Sequence, residues 1–172
     1  IQPMLNKLFL VLFLLIGIAG ISQSVTFTNV SDNFEVEHSF GVGSQFGGGV
    51  SFVDFDQDGF DDLTFTTNEP LNMSFYSNDG TGLMYNFVPT DFLNDGNTKH
   101  PLWADSDNDG DYDLFVSAND TGNRLYLNNG NLELEDITEV SGLDLPSIDN
   151  NSFGSVFTDF NKDGNLDLYV VN

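Results

Sequence analysis

The chain has 172 residues, room for one domain or a part of a larger one. Its 27 acidic residues against 4 basic ones give a formal charge of −23, which sets it against nucleic acid and anionic membranes. Cysteine is absent, so disulfide bracing, cysteine zinc sites and thiol catalysis are excluded, while 40% apolar content with 17 Phe provides for a packed core rather than disorder.

In chain order, the first feature is Lys7 followed by an apolar run from Leu8 to Ile21, with Gly17, Ala19 and Gly20 near its end. A basic start, a short apolar run and a small-residue exit predict a secretory signal peptide over 1–24, cleaved after Ser22 or Ser24. The run is shorter than the roughly 18 to 20 residues that a membrane span needs. The expectation is therefore a secreted or cell-surface protein with no membrane span after cleavage. The next stretch, Val25 to Val30, reads as an isolated strand at the outer edge of a sheet.

Three decapeptides then share one pattern, D-x-[DN]-x-D-G-x-x-D-L, over residues 54–63, 105–114 and 159–168. They hold 13 of the 27 acids within 30 residues, so the negative charge is clustered in register rather than spread over a solvated surface. Oxygens at positions 1, 3, 5 and 9, with the carbonyl of position 7, can converge on one point, and Gly at position 6 permits the sharp turn that wraps the loop. Hard oxygen donors in a flexible ring suit Ca²⁺ better than Mg²⁺, which keeps waters and demands strict octahedral geometry. About three Ca²⁺ ions are expected. The first loop offers Asp54, Asp56, Asp58 and Asp62 with the Phe60 carbonyl. The second offers Asp105, Asp107, Asp109 and Asp113 with the Asp111 carbonyl. The third offers Asp159, Asn161, Asp163 and Asp167 with the Asn165 carbonyl. One carboxylate fewer and the neighbouring Lys162 make the third the weakest.

An EF-hand shares positions 1, 3, 5 and 6 but needs a bidentate Glu at position 12, where Phe65, Val116 and Val170 stand. The flanks, such as Ser51-Phe52-Val53 and Leu114-Phe115-Val116-Ser117, are β-branched and aromatic runs bounded by turn residues, so the loops are predicted to join strands. Strands are expected near 48–53, 63–67, 72–77 and 83–88, then 100–104, 114–118, 124–128 and 132–137, with a further pair from Phe153 to the end.

These residues resemble the FG-GAP/VCBS repeat of integrin-α-like β-propellers. Phe46-Gly47-Gly48-Gly49-Val50 leads into the first loop and Phe153-Gly154-Ser155-Val156 into the third. Lys99-His100-Pro101-Leu102-Trp103-Ala104 replaces the Phe-Gly entry of the second and puts its local strand geometry in question. Asn123 to Gly130 is similar to the family's strand-turn unit, and Glu135-Asp136-Ile137-Thr138 with Ser141-Gly142-Leu143 is similar to proteins of the cartilage acidic protein type. The resemblance covers about residues 25–172. It implies an all-β fold of propeller blades, each of about four antiparallel strands with an Asp-rich calcium loop. The blades would run at about 46–93, 99–145 and 153–172, the last truncated. Closed propellers use about 4 to 8 blades, so about three suggest a fragment.

No catalytic constellation is legible. His38 and His100 stand apart from any acid-base group, no G-x-S-x-G or H-E-x-x-H occurs, and Gly47-Gly48-Gly49 lacks the Lys-Ser/Thr of a phosphate loop. Trp103 reads as core. The expected function is a non-enzymatic propeller scaffold for adhesion or for binding an extracellular protein or glycan, with calcium mainly structural. The alternative is the accessory propeller of an exported enzyme whose catalytic domain lies downstream.

Overall fold

The computed structural model describes residues 25–41, 47–68, 72–82, 84–89, 92, 96–143 and 151–172. The signal-peptide expectation over 1–24, Phe46 of the first Phe-Gly entry and residue 83 of the fourth expected strand lie outside them.

Among the described residues ten strands carry the fold, preceded by a 3-10 turn at Ser31–Asn33. Strands β1 (Val50–Val53), β2 (Asp62–Phe65), β3 (Ser74–Asn78) and β4 (Met84–Phe87) form one antiparallel sheet in chain order. A second repeats it with β5 (Thr98–Ala104), β6 (Asp113–Ala118), β7 (Arg124–Asn128) and β8 (Leu134–Asp136). A third holds β9 (Gly154–Thr158) and β10 (Asp167–Val171). This is the all-β, blade-like architecture that the repeat implied; among the described residues the sheets do not close into a ring. No described helix is long and apolar enough to cross a membrane.

Every Asp-rich loop leaves its hairpin in the same register. The pairs that flank the loops are Val53↔Asp62, Ala104↔Asp113 and Thr158↔Asp167. The loops are thus equivalent insertions at one end of three hairpins.

The sheets stack face to face through β1, β5 and β9, the first strand of each. Phe55, Met73 and Phe75 of the first unit pack with Trp103, Leu114, Val116, Tyr126 and Leu134 of the second in one core. Phe55 stacks on Trp103 with ring centroids 4.9 Å apart, and Phe115 meets Phe157 of the third sheet edge-on. Burial follows position in the stack. Strand β6 is buried along its whole length because sheets cover both its faces, whereas β10 alternates between exposed and half-buried. Polar staples seal the seams. Thr98 N–H donates to the Thr67 carbonyl at 3.0 Å, and Ser152 N–H donates to the Ala118 carbonyl at 3.1 Å. The sheets approach so closely at Gly49 that a Cβ there would lie 2.3 Å from the Lys99 carbonyl oxygen.

Two local expectations need comment. Val25 to Val30 forms no strand and lies exposed, with Phe27 94% accessible. The entry to the second unit, lacking its Phe-Gly pair, nonetheless builds the longest of the described strands, β5, with an irregular register between Thr98 and His100. Pro101 is tolerated there because β5 is the edge of its sheet and needs no N–H on its free side.

Candidate metal centres

Each loop turns twice through left-handed backbone. Gly59, Gly110 and Gly164 at position 6 have φ of 98°, 103° and 92°. Position 4, occupied by Gln57, Asn108 and Lys162, is also left-handed, at 60°, 63° and 62°. The glycines were legible as turn residues. The fourth position was not, since only Asn among these three residue types favours that region.

The double turn folds the odd-numbered carboxylates inward. Oxygens of Asp54, Asp56 and Asp58 lie within 4.8 Å of one another, as do those of Asp105, Asp107 and Asp109. Backbone N–H groups reinforce this convergence. Asp58 N–H donates to Asp56 Oδ1, Gly59 N–H to Asp54 Oδ2 and Phe60 N–H to Asp58 Oδ1, the last two at 2.9 Å. In the second loop Asp109 N–H donates to Asp107 Oδ1 and Asp111 N–H to Asp109 Oδ1. The seventh residue of each loop therefore meets the cluster through its N–H. Desolvation, chiefly, with help from the Asp113 and Asp109 charges, holds the Asp107 carboxyl above its ordinary range despite the Asp109 N–H bond.

One atom in each of these two loops is left over. Asp54 Oδ1 and Asp105 Oδ1 are buried and have no hydrogen-bond partner. An orphaned buried carboxylate oxygen is costly, and a cation held by the surrounding oxygens would relieve that cost. The donor set, all carboxylate oxygen, fits a hard divalent ion. In the third loop the corresponding atoms are satisfied. Asp159 Oδ1 accepts Asp163 N–H and Oδ2 accepts Gly164 N–H, both at 3.0 Å. Asn161 Nδ2 also donates to Asp163, and hydrogen bonds from Asn165 and Asn161 lower the Asp163 pKa. The third loop is closed by its own groups.

Position 9 ties each loop to its surroundings. Asp62 is fully buried; its Oδ2 accepts Phe55 N–H at 3.0 Å and its Oδ1 accepts Asn78 N–H at 2.8 Å. Asp113 repeats this with Ser106 N–H at 2.9 Å and Asn128 N–H at 3.0 Å. Asp167 accepts Phe160 N–H at 2.9 Å. In the first two units this carboxylate ties the loop's second residue to the last residue of the third strand, clamping loop to sheet. Burial pushes the Asp62 carboxyl up to about 6, against the lowering effect of its N–H bonds. Sequence spacing offers position 9 as a ligand; its clamping role was hidden because one of its two partners is a backbone N–H on another strand.

The first and second loops also touch. Gln57 Nε2 donates to the Gly110 carbonyl across the seam. The histidines have structural surroundings: His38 bonds Ser74 Oγ and the Thr66 carbonyl, and His100 bonds Ser155 Oγ.

Two stretches of the chain, residues 54–116 and 107–170, match the FG-GAP-like repeat. A comparison with curated proteins returns no match.

Proposed function

The chain belongs to the FG-GAP-like repeat family, and from that premise we propose that it is a calcium-binding propeller scaffold of a secreted or cell-surface protein. It carries out no catalysis, and its calcium ions are structural. Its partner is an extracellular protein or glycan rather than nucleic acid, in keeping with a charge of −23. The observation that carries this reading is the pair of orphaned buried oxygens, Asp54 Oδ1 and Asp105 Oδ1, within converged carboxylate triads. In the absence of disulfides, ion binding at hairpin ends supplies the cross-links an exported protein needs.

Extracellular modules hold Ca²⁺ with dissociation constants of about 10⁻⁴ to 10⁻³ M. At about millimolar Ca²⁺ a 10⁻⁴ M site contributes roughly 1.4 kcal/mol, so two such sites contribute about 3 kcal/mol. The test is thermal unfolding with Ca²⁺ and with a chelator, beside calcium titration calorimetry. The melting temperature should fall on chelation, Mg²⁺ should restore it poorly, and the double variant Asp54→Asn/Asp105→Asn should lose the calcium response. Superimposable melts with and without chelator, and no heat of binding, would overturn the proposal.

A further inference from the structure

We propose that the cleft between the first two Asp-rich loops binds an arginine side chain of a partner protein. The cleft has a volume of about 440 Å³ and lies where the first loop faces the turn between β7 and β8. The first unit lines it with Asp56 and Asp58, and the second with Asp111, Asn128 and Asn131. Phe55 and Leu132 add apolar surface. Gln57, donating to the Gly110 carbonyl, holds the two loops together at this place. Asn128 marks the cleft as more than an acidic surface. Its side chain is 5% exposed, and its Oδ1 is buried without a hydrogen-bond partner. The counterpart in the first unit is Asn78. Each of these residues gives its N–H to the clamp carboxylate, and its Nδ2 to the carbonyl of the residue before that carboxylate, Asp61 or Tyr112. Asn78 Oδ1 then accepts Gly80 N–H at 3.1 Å. In the second unit the turn runs differently, with Asn131 and Leu132 left-handed at φ 54° and 58°, and Asn128 Oδ1 receives no N–H. With Nδ2 committed to Tyr112, that oxygen is left to the cleft. A buried amide oxygen without a donor is costly, so an incoming donor is favoured.

The lining defines the ligand's chemistry. Three carboxylates and an unsatisfied amide oxygen are acceptors, so the ligand brings donors and positive charge. None of the lining residues is basic, so that charge comes from another molecule. A further metal ion is the poorer fit. Among the described residues the carboxylate sets close enough to share an ion are the two triads, and Asp111 belongs to neither. The cleft is also of the size of small-ligand sites, far larger than an ion. Spread acceptors suit a flat group with several separate donors. A guanidinium offers five N–H groups in a planar fork, is weakly hydrated and stacks on aromatic surface, whereas an ammonium is a compact, strongly hydrated point charge. Calcium in the first loop does not cancel the attraction, because that loop carries five acids and one Ca²⁺ leaves it at −3. The site names the partner's chemistry for the scaffold proposed above, and it rests on that reading in taking the arginine to belong to an extracellular protein.

Titration of the ¹⁵N-labelled chain in Ca²⁺ with acetyl-arginine methylamide, followed by NMR, tests this. The backbone amides of Gln57, Asp111, Asn131 and Leu132 and the side-chain NH₂ of Asn128 should shift saturably, while residues 159–168 of the third loop should not. The neutral citrulline analogue should shift none of them. Asn131→Asp adds a carboxylate at a position whose left-handed backbone it tolerates, and should tighten binding about two- to fivefold. Asp111→Asn should weaken it by a similar factor. Asn131→Lys, which places a cation in the cleft, should abolish it while the melting response to Ca²⁺ persists. Equal shifts from the citrulline analogue, equal shifts in the third loop, or no shifts at all overturn the arginine site, whether or not Ca²⁺ raises the melting temperature. Arginine shifts in a chain without a calcium response would support the cleft and remove only the calcium reading.

Discussion

Trp103 Nε1–H donates to Thr64 Oγ1 at 3.0 Å across the seam between the first two sheets, with both side chains buried. The indole is otherwise held by rings, stacking on Phe55 and meeting Phe75 edge-on. The Thr hydroxyl is thus the polar anchor of the largest aromatic side chain in the core. Thr64→Val keeps the shape but leaves a buried N–H unsatisfied. It should cost about 1 to 3 kcal/mol in denaturant unfolding. In a Trp103→Phe background, which has no N–H to strand, the same change should cost much less.

The position-9 carboxylate and the triads separate experimentally. Asp62→Asn replaces one of two N–H acceptors with a donor, against Phe55 or Asn78. It should lower stability by about 1.5 to 3 kcal/mol even in chelator. Asp56→Asn removes a triad charge at an exposed position and should leave the chelated protein nearly unchanged while reducing the gain from Ca²⁺. Equal losses in chelator would show that the clamp has no role of its own.

Lys162 holds a left-handed conformation, φ 62°, that costs a non-Gly residue about 1 to 2 kcal/mol, and Asn tolerates it better. Lys162→Asn should stabilise the chelated protein by up to about 1 kcal/mol. Removing the positive charge should also raise calcium affinity at the third loop. Calorimetry and melting of the same variant check both effects.

Burial holds the His38 pKa below its ordinary value, with the Thr66 carbonyl acting in the opposite direction. Its Nε2 donates to the Thr66 carbonyl, and its Nδ1 lies 3.1 Å from Ser74 Oγ, a hydroxyl able to donate to the neutral ring. A base with a depressed folded pKa gives stability that is present above its unfolded value of about 6.5 and is lost as pH falls through it. Asp62 works the other way. Its raised folded pKa makes stability increase as pH falls towards about 6 and below. Comparing the wild type with His38→Gln cancels Asp62. The wild type should lose more melting temperature than the variant between about pH 7.5 and 5.5. Parallel curves would remove His38 from the account.

Much was legible in the sequence because it rests on local physics. Asp-Gly loops at regular spacing, bounded by β-branched and aromatic runs, define hairpins without reference to anything distant. That local grammar placed the strands to within a few residues and named the odd-numbered carboxylates that converge. It also suggested Val25 to Val30 as a strand, since their composition is right. Composition alone does not make a strand, and in the structure this stretch is irregular.

What the sequence determined, then, is the repeated hairpin with its acidic loop, a property of ten-residue windows. Only the tertiary structure decided that Asp62 and Asp113 clamp loop to sheet, since one of the two groups each binds is a backbone N–H on a strand some fifteen residues away. It also decided the burial of equivalent residues. Phe115 is buried and Tyr169 exposed at the same repeat position, because among the described residues a neighbouring sheet packs on that face of the second sheet but not of the third. Repetition in the sequence sets the local fold identically each time; how many neighbours each copy meets is a property of the stack.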